Sequence, residues 1–162
     1  MQRFLIIFIL HCFSILLIKA QSDIKVYHSF DQIQDFLEPE GDTTLFINFW
    51  ASWCKPCIEE MPAIEKVRKE FSEYKIIFLL VCLDDPSKLD NMVKPLLEKL
   101  GVHSRVILLD DTDYNSWIDK IDPSWSGAIP GSLMINKNVK NFYEKSFTYD
   151  QLKNLISNHL IQ

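Results

Sequence analysis

The chain has 162 residues, with 17 Lys and Arg against 22 Asp and Glu for a formal charge of −5, and 48% of its residues are hydrophobic. That profile excludes disorder and collagen-like repeats, and a net acidic chain offers no bulk attraction for nucleic acid. Four cysteines are too few for a disulfide-built scaffold, so one compact domain is the expectation.

Residues 1–20 read as an export signal and stand apart from the fold. Arg3 supplies the positive end, residues 4–18 are apolar apart from His11 and Ser14, and Ala20 is the small residue expected before a cleavage point. The stretch is short of the roughly 20 apolar residues that span a bilayer; retention as an N-terminal anchor is the competing expectation. Cys12 follows His11 rather than the small residue of a lipoprotein signal. Losing residues 1–20 removes Arg3 and Lys19 and no acid, which leaves 15 basic against 22 acidic side chains. A domain over residues 21–162 is long enough to bury its own core.

Along that domain, Ser29 is a candidate cap for a short helix carrying Phe30, Ile33, Phe36 and Leu37 at helical spacing, which Pro39 and Gly41 then break. Residues 45–50 are rich in aromatic and β-branched side chains and predict a buried strand running into Ala51-Ser52-Trp53-Cys54. A helix follows to about Phe71, with Met61, Ile64, Val67 and Phe71 on one face and a kink expected at Pro62, which removes one ladder donor. Residues 76–83 form a continuous apolar run, as in a strand covered on both faces. Residues 86–100 have a helical pattern, with Pro86 in the first turn and Gly101 at the end. Residues 106–109 predict a third strand and 113–119 a short helix. Residues 133–135 and 139–143 predict a hairpin across Asn136-Lys137-Asn138, and 149–160 a final helix with Leu152, Leu155, Ile156 and Leu160 on one face. That order predicts an α/β sandwich with a mixed central sheet.

The chemistry is concentrated in Trp53-Cys54-Lys55-Pro56-Cys57, where a strand ends and a helix begins. Two cysteines one helical turn apart can close a disulfide, and the first faces the unsatisfied amides of the helix N-terminus. The helix dipole and Lys55 both favour negative charge on Cys54, which makes it the expected nucleophile. Cys57 lies one turn deeper and is the expected resolving thiol. The competing readings are an inert staple or half of a zinc site. Zinc needs about four ligands, and the sequence has no second C-x-x-C and no close His pair.

The run Asn48-Phe49-Trp50-Ala51-Ser52-Trp53-Cys54-Lys55-Pro56-Cys57-Ile58-Glu59-Glu60-Met61-Pro62 resembles the thioredoxin superfamily, specifically its exported branch of TlpA- and ResA-like thiol-disulfide oxidoreductases. Far along the chain, Gly127-Ala128-Ile129-Pro130-Gly131-Ser132-Leu133-Met134-Ile135 resembles the cis-proline segment of the same family. The resemblance implies a thioredoxin-like three-layer sandwich whose mixed central β-sheet is flanked by helices. It also implies a monomeric enzyme that uses the Cys54–Cys57 dithiol, with no dissociable cofactor and no metal. The Ile129–Pro130 bond would be cis beside the cysteine turn, with the Ile129 backbone pairing with an extended partner segment. Trp53, Lys55 and Pro56 would line the docking surface.

Lys-Pro between the cysteines resembles reductants of this branch. The implied substrates are disulfide-bearing envelope proteins, the electron source a membrane or envelope thiol donor, and the location periplasmic or otherwise extracytoplasmic, with membrane contact only through an uncleaved N-terminus. An oxidase, isomerase or thiol peroxidase role is the alternative on the same fold. A Sco-like copper module, with His103 as distant ligand, would separate its cysteines by three residues rather than two.

Departures from the pattern concern proton handling. Asn48 stands where cytoplasmic thioredoxins carry a buried acid, and an amide is no base at neutral pH. Asp85 is the nearest match to the proton acceptor of ResA-like proteins, with Asp84 beside it and helix capping ahead of Pro86 as the rival role. Gly131 and Ser132 replace the usual residues after the proline and are expected to alter groove shape more than chemistry. Cys82 reads as a buried packing residue; His28, His103 and His159 read as surface or capped histidines. Trp50 reads as core, and sequence alone assigns no role to Trp117 or Trp125.

Overall fold

The computed structural model describes residues 23–160, so the export-signal reading of residues 1–20 and Cys12 lie outside it. A six-stranded sheet runs through the described chain: β1 (Lys25–Tyr27), β2 (Thr44–Trp50), β3 (Ile76–Cys82), β4 (Arg105–Leu109), β5 (Gly131–Ile135) and β6 (Lys140–Tyr143). Their spatial order is β1-β4-β3-β2-β5-β6. The first four pair in parallel, while β5 and β6 are antiparallel additions beyond β2. This is the mixed α/β sheet expected from the order of elements, with one strand more than sequence reading found. β1 has three residues and gains its ladder only by pairing with β4, so no period-2 pattern was long enough to expose it.

Four α-helices flank the sheet: α1 (Lys55–Glu70), α2 (Lys94–Leu100), α3 (Tyr114–Ile121) and α4 (Tyr149–Leu160). Alternation along the strands divides the core in two. Phe46, Trp50, Phe78, Leu80 and Leu108 point towards the apolar stripes of α1, α2 and α4. Leu45, Ile47, Phe49, Leu79 and Ile107 point the other way, onto α3 and residues 30–37. β2 is buried along its whole length, as a central strand between β3 and β5 must be.

Two expected helices take other forms. Residues 30–37 are two 3₁₀ turns, Phe30–Gln32 and Gln34–Leu37, and the Ser29 side chain makes no capping bond. The Phe30 amide instead donates to Asp111 Oδ2 at 2.8 Å, so a tertiary partner does the capping. Residues 86–100 divide into a 3₁₀ turn (Pro86–Lys88), a π-helical turn (Leu89–Val93) and α2. Pro95 explains the wide turn: it has no amide to donate to residue 91, and its ring crowds that carbonyl. The expected end at Gly101 holds, in the left-handed conformation at φ +64°.

Candidate active site

β2 delivers the chain to the carboxyl edge of the sheet, and Ala51-Ser52-Trp53 turns it into α1. Cys54 is the N-cap of that helix, and its Sγ accepts the Cys57 amide at 3.3 Å. No acidic residue occupies the first turn, so the positive end of the helix faces the sulfur unopposed. Cys54 and Cys57 are joined as a disulfide, with S–S 2.03 Å and Cα–Cα 5.3 Å. Cys54 is 5% exposed and Cys57 fully buried; Trp53, Lys55 and Pro56 around them are exposed. Trp53 stands out at 69% exposure.

The second expected segment arrives from the opposite direction. The Ile129–Pro130 bond is cis, and the Ile129 carbonyl oxygen lies 3.6 Å from Cys54 Sγ. Pro130 is buried and Ile129 half-buried. Trp125, which had no role in the sequence reading, braces this loop by donating its indole N–H to the Ala128 carbonyl at 2.8 Å. Gly131 follows because nothing larger fits: a Cβ there would sit 2.9 Å from the Phe142 ring and 3.2 Å from Trp125. Register places Gly131 opposite Phe49 and Ser132 opposite Asn48.

That register builds a buried polar chain behind the disulfide. Asn48 Nδ2 donates to Ser132 Oγ at 3.0 Å and to Glu60 Oε1 at 2.8 Å, and Glu60 Oε2 accepts the Phe147 amide at 2.8 Å. Ser132 therefore does more than shape a groove. Glu60 is 3% exposed and carried by α1 one turn beyond Cys57. Burial pushes its carboxyl up to about 7, against the opposing pull of the Phe147 amide and the Asn48 amide group. An open groove of about 570 Å³ adjoins it, lined by Pro56, Glu59, Glu60, Lys66, Phe147 and Tyr149 among others.

Asp85 is exposed; its carboxylate accepts the Ser87 amide at 2.8 Å, and hydrogen bonding from the Ser87 side chain and then from its amide holds its pKa below the usual carboxylate value. It is the cap of the turn starting at Pro86, the rival role noted from sequence. Asp84, its neighbour, is buried. Glu60 lies within the motif that carries the family resemblance, and the motif alone assigns it no role. The buried residues of α1 are Cys57, Glu60, Met61, Ile64, Glu65 and Val67; Glu65 has Arg68 beside it at 2.8 Å, whereas Glu60 sits among apolar neighbours without a cation from the described residues, which is anomalous for an acid.

Cys82 is a free, fully buried thiol. His28 is a surface residue paired with Asp110 at 3.1 Å, and His103 is exposed. His159 departs from expectation: it is buried, its Nε2 has no hydrogen-bond partner, and desolvation lowers its pKa. Among the described residues no group of three or more His, Cys, Asp or Glu side chains is arranged to hold a metal ion. None of their helices is long and apolar enough to cross a membrane.

Comparison with known proteins agrees with this architecture. The chain is similar to the thiol-disulfide oxidoreductase ResA of Geobacillus thermodenitrificans, 30% identical over 116 residues that cover 72% of this chain and 60% of the relative. It is 36% identical over 75 residues to the thioredoxin-like protein YneN of Bacillus subtilis, covering 44% and 43% of the two chains. The chain thus spans about half the length of the relatives it matches. A thioredoxin-related protein of Neisseria meningitidis superposes with a TM-score of 0.64 at 16% identity, over 76% of this chain and 89% of that one. A thioredoxin-family thiol:disulfide interchange protein of Chlorobium tepidum gives 0.59 at 20% identity, over 73% and 80%. These likenesses establish the thioredoxin-like fold. The AhpC/TSA family model matches residues 31–141, over half of the sequence, and the chain belongs to that family.

Proposed function

We propose that this protein is an exported thiol-disulfide oxidoreductase that reduces disulfides of envelope proteins through Cys54 and Cys57. One observation carries the reading: a disulfide closes the N-cap of α1, with its outer sulfur at the helix N-terminus beside the Ile129 backbone. In the reduced protein the Cys54 thiolate attacks a substrate disulfide. A Cys54–substrate bond forms, and one substrate sulfur leaves as a thiolate. Cys57, deprotonated, then attacks Cys54 Sγ, which closes the 54–57 disulfide and frees the second substrate sulfur. Two electrons pass to the substrate, whose two sulfurs take up protons. A thiol donor in the membrane or envelope restores the dithiol, and no dissociable cofactor takes part.

Trp53, Lys55, Pro56, Ile129 and Pro130 form the docking surface in this proposal. Glu60, rather than Asp85, exchanges the proton of Cys57; a buried carboxyl titrating near neutrality, one turn along the same helix, is matched to that task. Residues 1–20 direct export, and residues 21–162 are the catalytic domain.

A Cys57→Ser variant tests the reading by trapping Cys54 in mixed disulfides with its substrates, identified by mass spectrometry. Recovery of the same adducts from Cys54→Ser would overturn the order of attack. Equilibration with a glutathione series tests direction: a potential of about −120 mV is that of a strong oxidant and defeats the reductant assignment. Peroxide consumption unaffected by replacing Cys57 would replace exchange with thiol peroxidase activity.

A further inference from the structure

Two residues beyond the end of β3, a carboxylate is buried without a cation. Asp84 is 3% exposed and belongs to none of the ion pairs of the described residues. A buried carboxylate is costly unless its acceptor positions are filled, and here three donors fill them. The Ser52 amide donates to Oδ2 at 2.6 Å, the Ser52 hydroxyl to Oδ1 at 2.7 Å, and the Cys82 thiol to Oδ2 at 3.2 Å. The ties to Ser52 bridge 32 residues of sequence, so they are tertiary contacts and no local turn explains them. Helix capping does not explain them either, because Asp85 caps the next turn.

Ser52 is the middle residue of the turn that enters α1, and the Cys54 amide closes this turn by donating to the Ala51 carbonyl at 3.1 Å. We infer that Asp84 is a positioning residue for disulfide exchange, holding Ser52 so that Cys54 and the exposed Trp53 are presented in one fixed orientation. The inference rests on the exchange reading above. Cys82 completes the clamp from beneath. Desolvation holds its pKa well above the ordinary thiol value, so it remains a protonated donor throughout the working range. With the clamp released, Cys54 Sγ would sample positions away from the Cys57 amide, and displacements of that kind slow an attack steeply.

The test compares Ser52→Ala, Ser52→Thr and Asp84→Asn. It measures disulfide reduction by the full chain and, in a Cys57→Ser background, the pH profile of Cys54 alkylation by iodoacetamide. Ser52→Ala should slow reduction about three- to tenfold and move the alkylation midpoint to higher pH, and Asp84→Asn should do so at least as strongly. Ser52→Thr, which keeps the hydroxyl, should behave as wild type. Ser52→Ala should cost less when added to Asp84→Asn than it costs alone, since both weaken the same Ser52–Asp84 link. Should Asp84→Asn fail to fold, the Ser52 pair decides alone. Lowered unfolding midpoints with unchanged rates and alkylation profiles would make Asp84 structural and overturn this inference only. A wild-type chain that exchanges no disulfides would overturn both it and the proposed function.

Discussion

On the face of the sheet covered by α3 and residues 30–37, Phe30, Phe49, Trp117 and Trp125 meet ring to ring at centroid distances of 4.7–6.2 Å. Both indole N–H groups there donate to backbone carbonyls. On the face covered by α1, α2 and α4, the cysteines share the interior with Asn48, Glu60 and Ser132, and buried polar atoms without a hydrogen-bond partner occur there, among them Asn48 Oδ1, Trp50 Nε1 and His159 Nε2 of α4. Aromatic packing with every polar atom satisfied stabilises without offering chemistry. Buried groups that can gain or lose protons do the reverse, and the fold sets them against a rigid aromatic backing.

If that division is correct, mutations on the two faces should separate activity from stability. Cys54→Ser should remove the largest effect of all, lowering disulfide exchange by a factor on the order of 1,000 or more. Its denaturation curve should match that of the reduced wild type. Trp117→Ala should destabilise by about 3–5 kcal/mol in urea titration, while the exchange rate per folded molecule stays within about twofold. A large fall in that rate would break the comparison.

Glu60 gives a pH signature. Its folded pKa of about 7 stands above the ordinary 4.5, so the folded state binds the proton more tightly. Stability is fully present below pH 4.5 and is lost as pH rises through 7, by about 3 kcal/mol from this group. Glu60→Gln should abolish that slope in denaturation curves taken from pH 5 to 8, and should flatten the dependence of exchange on pH near 7. Gly131→Ala sits at the boundary of the two regions; its clash with Phe142 and Trp125 should cost about 1–3 kcal/mol, read as a lower thermal midpoint. Lys55→Gln should matter least. Its ammonium pairs loosely with Glu59 at 3.7 Å, and both side chains are largely exposed, so stability should change by under about 0.5 kcal/mol. A tenfold loss of exchange together with a Cys54 alkylation midpoint moved to higher pH would show that Lys55, more than the helix N-terminus, stabilises the Cys54 thiolate.

What could be read from sequence divides along physical lines. β2, α1 and α4 were legible because their apolar spacing continues over many residues and the cap at Cys54 is local. The bounds expected for α4 are those observed. The Asn136 turn was legible too, since its side chain accepts the amides of Asn138 and Val139. β1 and the 3₁₀ turns at 30–37 owe their form to partners more than 70 residues away, at β4 and Asp111. Among the acids, sequence drew attention to Asp85, while burial without a cation falls on Asp84 and Glu60; the third buried acid, Glu65, pairs with Arg68. Strand parity identifies the first: Leu80 and Cys82 face α1, and position 84 continues that side.

The four tryptophans are distributed so that one of them reports on the reactive end alone. Trp50, Trp117 and Trp125 are enclosed, whereas Trp53 stands in solvent beside the Cys54–Cys57 bond. A collisional quencher such as iodide therefore reaches a single indole. The quenchable fraction of the emission gives a built-in optical probe of partner docking, needing no dye and no substitution.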